Sequence, residues 1–385
     1  MNGGSLCSNF WVSRECQIMV NLRDHNAVVE ADMLSGWVAQ QESLAGHLLF
    51  ATSGSTGVRK WAALSYDALL GSARVVNRHL VADKNDRWLL ALPDFHVGGI
   101  GVSARCHEAG CMMHTMPGRW DPMEFHRLVS AHGITLTSLV PAQLFDLVHA
   151  ELKAPKSLRV VLVGGGALND KLYERALSFG WPVMETYGMT EACSQIATAA
   201  LGSRDLHVLP AWQARVTPEK HLVIKGEMLL SAYVSCDGGA CKVVDPKVDG
   251  WFDTGDMVSM KADKLKVLGR ASRCVKILGE LVSLEEVERE LVTMSAQLHG
   301  VQKELAVVAI PDPRRGSRLI ICSDEVEKNT DALLSAYNRK CLPVHRVDQF
   351  CLIGSIPRSA LGKIIYPELC KIVMCHVAPD GGIKK

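Results

Sequence analysis

From His47 to Phe179, short apolar runs alternate with helical patterns, and this alternation constrains the chain more than any other feature of its sequence. Residues 47–51, 88–92, 135–139 and 160–163 have the length and content of buried strands. Between them, residues 65–80, 122–131, 141–152 and 169–179 carry helical spacing. Ser65, Asp121 ahead of Pro122, and Asn169 stand where a side-chain oxygen can accept the first unpaired amides of a helix. Such alternation predicts an α/β fold of layered sheets with parallel pairing.

Beyond Asp205 the texture changes. Residues 222–225, 228–233, 242–244, 257–261 and 264–268 read as short strands of a strand-rich subdomain. Residues 283–294 then read as a helix with a capping box, Ser283 followed by Glu286. Strands at 305–310 and 318–322 and a helix at 331–342 complete a small α+β tail. The expected division is a large N-terminal domain, 1–270, and a small C-terminal domain, 271–385, with the boundary near Gly269 to Ser272.

Composition excludes several classes. The 42 Lys and Arg nearly balance the 41 Asp and Glu, leaving a net charge of +1, so broad attraction to nucleic acid or an anionic membrane is not expected. No apolar stretch reaches the roughly 18 residues that a membrane span needs. The start of the chain lacks a basic segment followed by an apolar run, so no signal peptide is expected. The 13 Cys contain no C-x-x-C pair, and the spacings Cys106/Cys111 and Cys236/Cys241 give no metal signature. Thiols without a disulfide framework fit a reducing cytoplasm.

The most informative segment is Thr52, Ser53, Gly54, Ser55, Thr56, Gly57, Val58, Arg59 and Lys60, lying between two apolar strands. Its glycines permit close backbone approach, its hydroxyls donate hydrogen bonds, and Lys60 supplies positive charge, as a polyphosphate requires. No Gly-Lys-Ser/Thr ends it, so it is not a Walker A loop. The bland alternative is a solvated Ser/Gly-rich linker. Gly164, Gly165, Gly166 and Ala167 form a tight turn between a strand and a helix, at a strand's carboxyl end where open α/β sheets bind ligands. They lack the G-x-G-x-x-G pattern, so no nicotinamide site is implied.

The run T-S-G-S-T-G-x-x-K resembles the phosphate loop of the acyl-adenylate-forming superfamily of AMP-binding enzymes. Four further segments match that family's motifs in order: the Gly164–Ala167 turn; Tyr187, Gly188, Met189, Thr190 and Glu191; Gly250 to Asp256 with Gly269 and Arg270; and Pro357 to Lys363. The resemblance runs from Leu48 to Ile364 and implies a mobile C-terminal domain, with ATP, Mg²⁺ and CoA as cofactor and co-substrates. It implies that the Gly164 turn lies against the adenine, that Tyr187 stacks on it, that Thr190 contacts the α-phosphate and that Glu191 holds the metal. Asp256 and Arg270 are implied to fix the ribose, Ser272 to be the hinge, and Lys363 to bridge the substrate carboxylate and the α-phosphate. A lysine suits that last role because one cation offsets the repulsion between two anions and stabilises charge built in an in-line transition state.

Phe95, His96, Gly98 and Gly99 resemble the F-H-x-x-G stretch of CoA ligases, and His96 stands where amino-acid-activating relatives usually carry Asp. The run from Tyr187 to Thr198 is similar to the Y-G-M-T-E-x-x-S-Q-I-x-T of the o-succinylbenzoate–CoA ligase group of menaquinone biosynthesis, which implies that Ser194 lines the acyl pocket with Gln195 and Ile196. The expected partners are therefore a small carboxylic acid and CoA, and a homo-oligomer is compatible with the sequence. The alternatives are another acyl- or aryl-CoA synthetase, a carrier-protein thiol acceptor, or a non-catalytic nucleotide-binding relative. Three departures from the family stand out. The phosphate loop begins unusually close to the start of the sequence, implying an abbreviated N-terminal subdomain; Ser272 replaces a common Asp or Lys; and Leu278 replaces a usual Gly.

Overall fold

A computed structural model describes residues 10–13, 15–22, 24–52, 59–237, 240–277, 280–299, 305–312, 314–324, 330–359 and 362–376. Five strands, β1 (Arg87–Leu90), β2 (Met112–Thr115), β3 (Leu136–Leu139), β4 (Val160–Val163) and β5 (Val183–Met189), pair in parallel in the order β5-β4-β3-β1-β2. The helices Val97–Ala109, Pro122–His132, Pro141–His149 and Asp170–Ser178 connect them, as parallel pairing requires. The caps fall where the side chains demand. Asp121 Oδ1 accepts from the Glu124 amide at 2.8 Å and Asn169 Oδ1 from the Lys171 amide at 2.8 Å. Phe125, Leu144, Val161 and Trp181, all essentially buried, anchor the core between sheet and helices.

After β5 the chain makes a short 3₁₀ turn, Thr190–Ala192, and returns antiparallel as β6 (Ser194–Ala199), beside which lies Leu206–Val208. A separate five-stranded sheet runs in the order Gln17–Met19, His47–Thr52, Lys60–Ser65, Ala232–Asp237, Ala240–Val244. His47–Thr52 and Lys60–Ser65 form a hairpin whose register places Thr52 opposite Lys60.

Two expectations change here. The apolar run 228–233 is not a strand from its first residue. Met228, Leu229 and Leu230 are buried in a turn whose amides reach Gly226 and Glu191, and the ladder starts at Ala232, opposite Ala63. Apolar residues in that stretch plug the core instead of alternating across a sheet. Cys236 and Cys241 are not a chance spacing either. They face each other across the hairpin Ala232–Asp237/Ala240–Val244 and form a disulfide.

By compactness the chain divides into Met1–Arg215, Val223–Asp253 and Met260–Lys266 as one unit, and Val216–Leu222, Thr254–Ser259 and Val267–Lys385 as the other. In the second unit, Ala306–Asp312 pairs antiparallel with Gly316–Ser323, which pairs in parallel with Val347–Leu352. Alternation along these strands splits its core in two. Val307, Leu319 and Ile321 pack with the helices Leu284–His299 and Thr330–Lys340, while Val308, Ile320 and Cys351 pack with Tyr366–His376. Ser283 caps the first of these helices, its Oγ accepting from the Glu286 amide at 3.3 Å. Among the described residues no helix is long and apolar enough to cross a membrane.

Candidate active site

In the first unit the expected phosphate loop is the connection of the hairpin that ends at Thr52 and resumes with Lys60. Thr52 Oγ1 donates to the Lys60 carbonyl at 3.1 Å and closes the hairpin's mouth. Ser53, Gly54, Ser55, Thr56 and Gly57 lie outside the described residues. The Lys60 ammonium sits 5.4 Å from the centre of the Tyr233 ring, and the Tyr233 hydroxyl donates to Glu191 Oε1 at 2.8 Å. The structure thus gathers Lys60 and Glu191, far apart in sequence, around one tyrosine that sequence reasoning missed. Glu191 is 9% exposed and leaves the 3₁₀ turn at the end of β5, with Thr190 half-buried beside it. A buried carboxylate with one oxygen held suits Mg²⁺, which takes one or two carboxylates and completes its shell with phosphate oxygens and water. Among the described residues no cluster of three or more His, Cys, Asp or Glu forms a separate metal cage.

The Gly164–Ala167 segment follows β4 as expected. Gly165 adopts φ +77°, which a side chain would strain, and a Cβ on Gly164 would press to 3.1 Å from the Thr186 carbonyl. This turn therefore lies against β5 at Thr186, next to Tyr187, while Gly165, Gly166 and Ala167 are exposed. Gly188 is obligatory, because a Cβ there would collide with the Ser194 carbonyl where β5 and β6 cross at a register shift. Ser194 itself has φ +113° and Cys193 φ +50°, two successive non-glycine residues in the left-handed region. Such strain persists only where the surroundings over-determine it, and it clusters at ligand sites.

Ser194 faces a second residue that sequence reasoning missed. Arg105, 2% exposed, extends from the helix Val97–Ala109 with its Nη2 3.4 Å from Ser194 Oγ, its Nη1 3.3 Å from Ser138 Oγ, and its guanidinium 5.5 Å from the centre of the Trp88 ring. No carboxylate pairs with it among the described residues, and its Nε has no hydrogen-bond partner. Burial pushes its pKa down to about 10, so it stays charged at neutral pH. Gly101 lies one turn earlier on the same helix; a Cβ there would meet Arg105 Nη2 at 3.4 Å and Ser194 Cβ at 3.9 Å. Glycine thereby leaves open space beside the cation. His96 is the N-cap of this helix, half-buried, its ring 4.6 Å from that of Phe95. The sequence signal for Arg105 was a charge directly after the apolar and small run Val97 to Ala104.

In the second unit Asp256, 5% exposed, pairs through Oδ1 with Arg270 Nε at 2.8 Å. Arg270 Nη1 also donates to the Thr254 carbonyl at 3.0 Å, and the Asp256 amide donates to Thr254 Oγ1 at 3.1 Å. Gly255, with φ +66°, lets the backbone bend between them. Lys363 stands at a tight bend: Arg358 bridges Ile364, and the Ser359 amide donates to the Lys363 carbonyl at 2.8 Å. Solvent reaches Lys363, yet protein atoms crowd it. That loss of hydration, then repulsion from Arg270, holds its ammonium below the ordinary lysine value, with Asp256 opposing. The sequence-predicted Asp256, Arg270 and Lys363 therefore share one electrostatic neighbourhood within this unit. Ser272 is exposed in a 3₁₀ turn, Ala271–Arg273, while Leu278 lies outside the described residues.

Comparison with known proteins follows this geometry. A family model described as AMP-binding enzyme matches residues 38–226. The 2-succinylbenzoate–CoA ligase of Bacillus thuringiensis is 28% identical over 343 residues, covering 84% of this chain and 69% of the relative. Among solved structures, the o-succinylbenzoate CoA synthetase of Bacillus subtilis in complex with its acyl-adenylate intermediate superposes with a TM-score of 0.73 at 26% identity, covering 84% of this chain and 68% of that one. The same synthetase in complex with ATP and magnesium ion gives a TM-score of 0.71 at 26% identity, over 84% and 69% of the two chains.

Proposed function

Because the chain belongs to the acyl-adenylate-forming superfamily of AMP-binding enzymes, we propose that it is an ATP-dependent carboxylate–CoA ligase acting on o-succinylbenzoate. Arg105 carries the choice of acid. o-Succinylbenzoate has two carboxylates, one on the succinyl chain and one on the ring, and only the first is activated. A buried guanidinium beside Ser194, with no counter-charge among the described residues, suits the second, since burying an unpaired cation is costly until an anion meets it.

In the first half-reaction an oxygen of the succinyl carboxylate attacks the α-phosphorus of ATP, the bond to the bridging oxygen breaks, and pyrophosphate leaves. In the second the CoA sulfur attacks the acyl carbon and AMP leaves, which divides one hard substitution into two easier ones. Lys60 and the hydroxyls and amides of the loop 52–60 hold the β- and γ-phosphates, and Thr190 the α-phosphate. Gly164 to Ala167 and Tyr187 with Gly188 cradle the adenine, and Asp256 and Arg270 the ribose. Bound at Glu191, Mg²⁺ supplies charge neutralisation on the phosphates. His96 and Ser194 line the acyl pocket, and Lys363 neutralises the two reacting anions. Residues 271–385 act as the moving domain with Ser272 as its hinge, withdrawing Lys363 after adenylation to admit the CoA thiol. On this reading the protein works in the cytoplasm on small molecules, alone or as a homo-oligomer.

ATP–pyrophosphate exchange tests the proposal. Exchange is expected with o-succinylbenzoate and not with the same acid lacking its ring carboxylate; equal exchange with both would sink the assignment of the acid. Lys363→Ala is expected to lower exchange by at least about 100-fold while still converting supplied acyl-adenylate to thioester. Equal loss in both assays would refute the domain movement.

A further inference from the structure

Within the first unit, among the described residues, Tyr233 touches both Lys60 and Glu191. Its strand, Ala232–Asp237, pairs antiparallel with Lys60–Ser65, Tyr233 standing opposite Ala62. Lys60 lies two residues from Ala62 and so on the same face, a diagonal neighbour within reach of a long side chain across a ladder. The Lys60 ammonium accordingly lies 5.4 Å from the Tyr233 ring centre, where the ring's negative face attracts a cation. The phenolic hydroxyl meanwhile donates to Glu191 Oε1 at 2.8 Å, and the Leu230 amide donates to the Glu191 carbonyl at 2.8 Å, so the same turn and strand hold both ends of that residue. Glu191 is 9% exposed, and among the described residues no donor reaches its Oε2. A hydroxyl fixed on one carboxylate oxygen leaves the other available to a cation.

We propose that Tyr233 is the positioning residue of the metal–phosphate corner. Its hydroxyl aims Oε2 of Glu191 at the magnesium of Mg·ATP, and its ring holds Lys60 alongside the same phosphates. The inference rests on the nucleotide reading above but not on the identity of the acid. On this proposal Tyr233 acts through Glu191 and Lys60. A phenylalanine keeps the ring and removes the aim; a leucine removes both.

Calorimetric titration of the whole chain with ATP, with and without Mg²⁺, separates these roles without any turnover. In Tyr233→Phe the affinity for metal-free ATP is expected to stay at the wild-type value, while the gain in affinity conferred by Mg²⁺ falls about 10-fold. In Tyr233→Leu metal-free affinity is expected to fall as well, by about 3-fold, as Lys60 loses its ring. An unchanged magnesium dependence in Tyr233→Phe overturns the proposal. So does an equal loss with and without the metal, which marks a merely structural role. Failure of the acid assignment would look different: a wild-type chain that binds Mg·ATP normally and gives no exchange with o-succinylbenzoate.

Discussion

Arg105 and Arg273 are both buried arginines, and their surroundings differ in charge: carboxylates meet Arg273, and among the described residues none meets Arg105. Arg273 Nη2 lies 2.9 Å from Glu288 Oε2 and its Nε 3.7 Å from Glu285 Oε1. Its guanidinium covers the Tyr366 ring at 3.3 Å, and the Tyr366 hydroxyl donates to the same Glu288 at 2.7 Å. Charge is cancelled there by the protein itself, and the group ties the turn Ala271–Arg273 to the helices Leu284–His299 and Tyr366–His376. Among the described residues Arg105 has two serine hydroxyls and the face of the Trp88 ring, none of which cancels its charge. A folded chain tolerates such a cation when a ligand's anion completes it. The strained Ser194, the Gly101 against the guanidinium, and the uncompensated charge all fall at the same place, and among the described residues nothing similar surrounds Arg273.

The largest expected effect breaks that comparison on the side of Arg105. Arg105→Met, close in volume, should lower kcat/KM for o-succinylbenzoate by about 100-fold, the scale of removing one partner of a desolvated charge pair. The same variant should melt no lower than the wild type, because an unpaired buried charge has been removed. A clear loss of thermal stability with unchanged kinetics would reverse the assignment. The next effect belongs to Arg273. Arg273→Met leaves Glu288 and Glu285 without their cation and should destabilise the protein by about 2 kcal/mol, after allowance for the solvent that reaches Glu285. Denaturant unfolding measures it, and ATP binding below the transition should be unaffected. The smallest effect sharpens the comparison at a third arginine. Asp86 accepts from Arg159 Nη2 at 2.6 Å and Nε at 2.9 Å. Burial is the largest single influence on Asp86 and raises its pKa, yet the hydrogen bonds from Arg159, Thr135 and the Asp83 amide together outweigh it and hold the carboxyl below its usual value. A depressed carboxyl stabilises the fold above the unfolded-state pKa, about 3.9, and loses that contribution as pH falls through the lower folded value. Asp86→Asn should therefore cost about 1 kcal/mol at pH 7 and progressively less in acid, a difference that paired unfolding curves would show.

Much of the first unit's parallel sheet could be read in advance because its signals are local. Apolar runs of strand length, with Asp121 and Asn169 as caps, each act within a few residues. The run 228–233 shows where such reading fails: apolar content is the same for a strand and for a buried turn, and only the pairing of Ala232 with Ala63 decides between them. The disulfide failed for the same reason, since the spacing of Cys236 and Cys241 acquires meaning only when the pairing of Ala232–Asp237 with Ala240–Val244 sets them face to face. Motif residues such as Lys60, Tyr187, Glu191, Asp256, Arg270 and Lys363 were visible one by one, because each motif is a short string whose chemistry is written in its own residue types.

The sequence by itself determined the order of the motifs that resemble those of the acyl-adenylate-forming family and the α/β alternation that carries them, and that resemblance set the class of reaction expected of this chain. Only the tertiary structure decided that Tyr233 joins Lys60 to Glu191, and that Arg105 is buried beside Ser194 with no counter-charge among the described residues. The physical reason is that a motif is a property of neighbours along the chain, whereas a hydrogen bond across 42 residues, or the want of an anion around a cation, exists only once distant segments share one interior.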